Sequence, residues 1–207
     1  MSEQRTPEWF AERAGKITAS RVGDVMTQGR GGKPSKTRLS YMHQIVAEII
    51  TGMPKAKFRA ASTDWGTQAE SLNLGAYEAR TGDFVTPAGF IVHPQYDFVG
   101  ASPDFLVGSD GGGEMKCPYD QDVHLQTLLE GMPEGHLEQV QCGLWVTGRS
   151  WWDFTSFHPD FPPHLQLYVQ RIHRDDVFIE SMEAACLQFW AEARAMLKQL
   201  TEMEKAA

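Results

Sequence analysis

Cysteine is scarce. Cys117, Cys142 and Cys186 are too few and too widely spaced in 207 residues to form a disulfide framework or a zinc pattern. A reducing compartment follows as the expectation, and Cys117 reads as a small buried thiol rather than a nucleophile. Long apolar runs are missing: nothing approaches the roughly 20 residues that cross a bilayer. Met1 to Lys16 is polar and mixed, without the apolar segment of a secretory signal. No membrane association is therefore expected, and a cytoplasmic setting is. Paired histidines are missing too. None of the seven stands at metal-ligand spacing, and His158 and His164 read as loop residues beside prolines. There are no internal repeats. Net positive charge is absent, with a formal charge of −8, which by itself argues against a nucleic-acid partner.

The distribution of charge says something different. Residues 1–60 carry 11 Lys/Arg against 5 Asp/Glu, whereas residues 61–207 carry 8 against 22. Such asymmetry points to a polyanion-facing surface on the first part and an acidic remainder. The length suits one domain over 1–207: a basic, helical N-terminal part (1–60), then a catalytic core with a C-terminal helix (61–207).

The centre of the chain is SPDFLVGSDGGGEMKCP. Gly108 to Gly113 is turn chemistry between two apolar runs, which predicts a β-hairpin. Asp104 then falls on the first strand and Glu114 and Lys116 on the second. Residues i and i+2 of a strand share a face. Two carboxylates and an amine brought together suit a divalent-cation site for phosphoryl chemistry, since hard cations take carboxylate oxygens. The spacing alone equally fits a surface hairpin with scattered charges.

Around it, Thr6-Pro7-Glu8 is a helix start, reaching Arg13 and stopping at Gly15. A short second helix follows through Val22, Val25 and Met26. Gln28 to Pro34 is a cationic, glycine-rich loop. Ser35 to Ile50 is an amphipathic helix with Leu39, Met42, Ile45, Val46, Ile49 and Ile50 as its core stripe, ended by Gly52. Lys55, Lys57 and Arg59 lie in an extended linker. Trp65 to Arg80 is a helix with Glu70 bordering a buried side of Ala69, Leu72, Ala76 and Tyr77. Phe84 to Cys117 predicts an antiparallel meander ending in the hairpin. Helices at Asp122–Glu130 and Glu134–Val146, strands at Trp151–Phe157 and Leu165–Ile172, and a helix from Arg174 to about Leu200 complete the chain. Alternation with Phe154 makes Trp151-Trp152 core strand rather than a base-stacking platform. The class is α/β: a mixed central sheet flanked by helices.

Five blocks occur in order. They are Arg13-x-Gly-x-Ile17-Thr18-Ala19-Ser20, Trp65-Gly66-x-x-x-Glu70, Ser102-Pro103-Asp104, Glu114-x-Lys116-Cys117-Pro118, and Gln139-Val140-Gln141-x-x-x-Trp145-Val146-Thr147. On these the chain resembles the PD-(D/E)-x-K nucleases and, among them, the phage lambda exonuclease family of viral recombination exonucleases, over roughly Trp9 to Leu200. The resemblance implies a restriction-endonuclease-like core. It also implies a Mg²⁺-dependent 5′-to-3′ exonuclease, with Mn²⁺ as a possible substitute and two ions per site. Such an enzyme degrades one strand of linear double-stranded DNA, releasing mononucleotides and leaving a 3′ single strand. A ring-shaped homotrimer and a single-strand annealing protein as partner come with it, as does a phage or prophage origin in a bacterial host. By residue match Asp104, Glu114 and the main-chain carbonyl of Met115 hold metal, with Glu70 completing the set. Lys116 holds the attacking water and Gln139 lines the pocket. Arg13, Thr18, Ser20 and Ser102 match the grip on the 5′-phosphate, and Arg30 a loop arginine that touches DNA.

The chemistry of these types agrees. Arginine offers a planar fork for phosphate, and the hydroxyls add donors. The family's apolar wedge before Trp-Gly is replaced by Thr63, which leaves the splitting of the terminal base pair unassigned. An endonuclease or resolvase on the same site, and an inactive DNA-binding module, are the alternatives. The 5′-phosphate residues count against the first and the intact Asp104, Glu114, Lys116 and Glu70 against the second.

Overall fold

The computed structural model describes residues 3–29, 31, 35–55 and 61–206, the side chains of 61–64, 66–68 and 204–206 excepted. Arg30, Lys33, Lys57 and Arg59 fall outside the described residues, as does the side chain of Thr63.

Helix α1 (Pro7–Arg13) begins as its sequence dictates. Thr6 Oγ1 accepts from Trp9 N at 3.2 Å, and Pro7 supplies a preset φ where no N–H is needed. Gly15, at φ +71, ends the turn against Ile49, where a Cβ would meet Ile49 Cγ1 at 2.7 Å. Strand β1 (Ile17–Thr18), a 3₁₀ turn (Ala19–Arg21) and helix α2 (Val22–Met26) follow. Helix α3 (Lys36–Thr51) is capped by Ser35 Oγ on Arg38 N at 3.0 Å and closed by Gly52 in the left-handed region. Its buried face differs from the expected stripe. Arg38, Tyr41, Met42, Ile45, Val46 and Glu48 face inward, while Leu39, Ile49 and Ile50 stay exposed. Partnered polar tips explain the rotation. Arg38 forks onto Glu192 at 2.6 and 3.0 Å, and Glu48 accepts from Gly15 N at 2.9 Å.

Helix α4 (Ala61–Thr81) starts earlier than its apolar pattern shows. Asn73 takes a buried position, donating to Thr155 Oγ1 at 3.1 Å, and Leu72 is exposed instead. Strands β2 (Val85–Thr86), β3 (Ile91–Val92), β4 (Val99–Ala101), β5 (Phe105–Val107) and β6 (Gly111–Lys116) come next, then α5 (Gln121–Glu130), α6 (Leu137–Thr147), β7 (Trp151–Phe157), β8 (Leu167–His173) and α7 (Asp176–Ala206). The strands do not form one meander. β1-β4-β3 is a three-stranded sheet and β2-β5-β6-β7-β8 a five-stranded one. The break falls at Ser102-Pro103-Asp104. Pro103 has no N–H for a ladder, so β4 ends at Ala101, and Asp104 N picks up Gly113 O at 3.1 Å to enter the second sheet.

Gly111, Gly112 and Gly113 are strand rather than turn, the turn being confined to Gly108–Asp110. They are glycine because aromatic rings cross them. A Cβ at Gly113 would lie 2.0 Å from Phe105 Cζ, and one at Gly112 2.4 Å from Trp152 Cζ3.

Alternation along β7 sets the layers. Asp153 and Thr155 face α4 through Tyr77 and Asn73, at 2.7 and 3.1 Å. Trp152 and Phe154 face the other side, toward Gly143 and His136 near α6. Sheets are thus flanked by helices on both faces, the mixed α/β arrangement expected. Trp152 is core, and His158, in the loop after β7 as expected, is nonetheless buried. On α7 the buried line runs Ile179, Met182, Cys186, Phe189, Ala193, packed on α2, α3 and α6. Phe178, Ala185 and Met196 are only partly covered. Among the described residues no helix is long and apolar enough to cross a membrane.

Candidate active site

β6 runs parallel to β7, and its even positions turn toward α6. Glu114 and Lys116 therefore share a face, as their spacing predicts. Lys116 Nζ donates to Glu114 Oε1 at 2.6 Å. From the first turn of α6, Gln139 Nε2 donates to the same oxygen, also at 2.6 Å. Asp104, one residue ahead of β5 rather than within it, turns Oδ2 onto the Met115 amide at 2.6 Å. The four side chains Asp104, Glu114, Lys116 and Gln139 border one cleft of about 210 Å³.

The electrostatics are those of crowded anions. Burial, and then the neighbouring Glu114, push the Asp104 carboxyl well above the usual range, against the pull of the Met115 amide and Lys116. For Lys116, burial works to lower the ammonium, but Glu114, Asp104 and Glu70 outweigh it and the net movement is upward. The Cys117 thiol is raised to about 11 by burial, so it is no nucleophile.

Glu70 is placed differently from the other matched residues. Its Oε1 accepts from Arg5 Nη2 at 2.5 Å, and it borders a neighbouring cleft with Arg5, Asp104 and Met115. Asp104 lines both clefts. Among the described residues no three His, Cys, Asp or Glu side chains converge closely enough to hold an ion. The N-terminal segment is anchored there by Gln4 Nε2, which donates to Pro103 O at 2.7 Å and Ala88 O at 3.0 Å.

Arg13, Ser20 and Ser102 also line the first cleft, where they meet one another. Arg13 Nη1 donates to Ser102 Oγ at 2.8 Å and Nη2 to Ser20 Oγ at 3.4 Å, and the guanidinium lies 4.1 Å from the Trp9 ring centre. Thr18 Oγ1 is 3.4 Å from Ser20 Oγ. Thr18 itself is fixed from behind, where its N–H donates to the Tyr41 hydroxyl at 3.1 Å. Burial lowers the Arg13 pKa, although a guanidinium remains charged at any physiological pH. Sequence reasoning missed Arg5 and Gln4, which carry no motif. It also missed the orienting role of Trp9, whose Nε1 donates to Ser102 Oγ at 3.0 Å.

The YqaJ-like viral recombinase domain matches residues 8–150, which span α1 through the residue before β7 and so hold every residue of both groups. The chain belongs to that family. Its fold is that of an alkaline exonuclease, LHK-Exo, from Laribacter hongkongensis: 38% identity, TM-score 0.89, covering 98% of this chain and 100% of that one. The same protein in complex with dAMP matches equally well. A phage-related exonuclease from Haemophilus somnus 129PT shares the fold at 14% identity, with TM-score 0.71 over 91% of this chain and 96% of its own. Uncharacterized protein R354 of Acanthamoeba polyphaga mimivirus is 25% identical over 73% of this chain, and the match spans 28% of that relative's length. This recombinase-family chain therefore has a PD-(D/E)-x-K nuclease core; four of the five motif blocks contribute to its two adjoining groups of residues, and the Trp65–Glu70 block stands at the neighbouring cleft.

Proposed function

We propose that the chain is a divalent-metal-dependent exonuclease acting 5′ to 3′ on linear double-stranded DNA from a 5′-phosphorylated end. It releases mononucleotides and leaves 3′ single strands for recombination. One observation carries the reading: a single cleft joins Asp104, Glu114, Lys116 and Gln139 to Arg13, Ser20 and Ser102. Hydrolytic groups and a cationic hydroxyl-bearing wall lining one cleft suit a substrate gripped by its terminus. An internal phosphodiester offers no terminal dianion to such a wall. The dAMP complex of the similar alkaline exonuclease supports a mononucleotide product.

The donors fit a hard cation. Asp104 and Glu114 are desolvated carboxylates whose mutual repulsion a cation would relieve. Asp104, Glu114 and the Met115 carbonyl would hold it, with Glu70 joining once Arg5 lets go. Bound Mg²⁺, one ion or two, supplies an activated water and neutralises charge on the phosphate. The chain's own residues do the rest. Lys116 Nζ, kept charged by its carboxylate neighbours, donates to the attacking water and orients it. Gln139 fixes Glu114 Oε1 in place. The Arg13 fork, braced on Trp9, takes the terminal phosphate with Ser20 and Ser102. Thr18 stands behind Ser20. Arg30, with Lys33, Lys57 and Arg59, tracks the DNA backbone in a salt-sensitive way. A homotrimeric ring, a single-strand annealing partner and a phage or prophage setting in a bacterial cytoplasm accompany this reading, on the strength of the family.

The test is digestion with Mg²⁺ of linear duplex phosphorylated at one 5′ end only, beside circular duplex and an EDTA control. Loss of the strand from the phosphorylated end alone is expected. Cutting of the circle, or indifference to the phosphate, refutes the reading.

A further inference from the structure

Arg13 and Ser20 do not close the phosphate wall. They also border a second, smaller cleft of about 90 Å³ on the side away from Asp104 and Glu114. Thr18, Lys16, Arg21 and Lys55 line that second cleft. Four cations thus surround it when Arg13 is included. Its one lining carboxylate, Glu48, is already committed: Oε2 accepts from Gly15 N at 2.9 Å, and Oε1 from Gln44 Nε2 at 2.9 Å and Lys55 N at 3.0 Å. Arg21 pairs with Asp24 and lies 4.3 Å from the Tyr41 ring centre, which holds its stem against the wall. Lys16 makes no ion pair among the described residues. Four cations round one hollow, against a single lining carboxylate already held by three hydrogen bonds, leave positive charge for an anion from outside.

The order of residues indicates which anion. Lys116 and Glu114 mark the bond to be cut. Arg13, Ser20 and Ser102 mark the terminal phosphate, and the cationic hollow lies beyond that phosphate on the 5′ side. We infer that the hollow is a second anion subsite, accepting the outer phosphates of a 5′-di- or triphosphorylated DNA end, with Lys16 and Lys55 as its free donors. This rests on the 5′-phosphate reading above. The bond chemistry is unchanged. The water oxygen joins the phosphorus of the second nucleotide, the P–O3′ bond breaks, and O3′ leaves with a proton. The first product from a triphosphorylated end is therefore an intact nucleoside triphosphate, followed by monophosphates.

Three duplexes identical but for a 5′-hydroxyl, 5′-monophosphate or 5′-triphosphate test this. Binding is read by fluorescence anisotropy in EDTA, where no strand is lost. The monophosphate should bind more tightly than the hydroxyl, which tests the earlier reading independently. The triphosphate should bind about tenfold more tightly than the monophosphate, the worth of one or two charge-assisted contacts. The double variant Lys16→Ala, Lys55→Ala should bring the triphosphate back to the monophosphate level and leave the monophosphate within about twofold. Inorganic tripolyphosphate should compete with the triphosphate duplex on the wild-type protein and not on the double variant. With Mg²⁺ restored, chromatography should show a nucleoside triphosphate as the first product. Triphosphate binding weaker than monophosphate, or an equal loss on all three ends in the double variant, overturns the subsite and reduces these lysines to backbone-tracking charge.

Discussion

Replacing Asp104 by Asn should make the protein more stable and inactive together. In the folded chain the carboxyl is buried and faces Glu114, and both hold its pKa well above the usual carboxylate range. The native state then binds more protons than the unfolded state between pH 3.8 and the raised native value. Stability is accordingly lost as pH rises through that window, as the carboxylate comes to carry its charge buried beside Glu114. Asparagine keeps an oxygen for the Met115 amide at 2.6 Å and carries no charge. The relief is about 1–3 kcal/mol, and at about 2–4 °C per kcal/mol for a chain of this size the expected gain in Tm is roughly 2–12 °C. Calorimetry in EDTA at pH 8 reads it directly. As pH falls the wild-type carboxyl takes up its proton and the gap should narrow. Added Mg²⁺ should raise the wild-type Tm and move the variant much less, because the cation relieves the same repulsion. A variant less stable than wild type at pH 8, or a gap that ignores pH, refutes the electrostatic account of this site.

Arg13→Ala should lower the rate on 5′-phosphorylated ends about 10- to 100-fold, the worth of charged hydrogen bonds at about 1.5–3 kcal/mol. Hydroxyl ends should be nearly unaffected, and competition between the two ends in one digestion checks this. Gly113→Ala sets a Cβ 2.0 Å from Phe105 Cζ and should cost about 1–3 kcal/mol in denaturant melts. Phe105→Leu in the same chain should recover part of that loss. The His136 imidazole is lowered to about 4 by burial and then by Lys116. The unfolded state therefore takes up the proton first, and stability falls as pH drops from about 6.5 toward 4. With solvent reaching this half-buried ring the loss is about 1–2 kcal/mol, and His136→Phe should remove it from a pH series of melts. Arg5→Ala frees Glu70 from a partly exposed pair worth about 0.2–1 kcal/mol. It should leave Tm nearly unchanged and tighten Mn²⁺ binding about two- to fivefold in a calorimetric titration.

What the sequence made readable was local or periodic. The caps at Thr6 and Ser35 are spelled by adjacent residues, and the left-handed stops at Gly15 and Gly52 follow the same grammar. The common face of Glu114 and Lys116 follows from a two-residue strand period. The same alternation that made Trp151-Trp152 read as strand puts Trp152 in the core. The misreadings have one origin, in that a residue type can answer two structural needs. Glycine at 111–113 answers aromatic rings crossing a central strand, while the identical letters in a hairpin answer a turn. On α3 the inward positions include Arg38 and Glu48, whose burial depends on Glu192 and Gly15, and no periodicity in the helix itself could reveal those partners. Glu70 was found by its motif block, but its pairing with Arg5 was not, because Arg5 belongs to no block.

The junction of the two sheets explains why Ser102 and Asp104 must stay two residues apart. Pro103 stops β4 from continuing, so the chain crosses from one sheet to the other within three residues. Ser102 is left facing Arg13 and Trp9 on the N-terminal side. Asp104 is left against the Met115 amide on the core side. On the proposed reading, an insertion here would move the end-gripping wall relative to the hydrolytic group while sparing both, and this one crossing sets the distance from terminal phosphate to cut bond. For the proposed removal of one nucleotide at a time, that distance is the step length. Gln4 adds a brace from outside the crossing by holding Pro103 O and Ala88 O together, which makes the N-terminal segment part of the ruler as well as the bearer of Arg5.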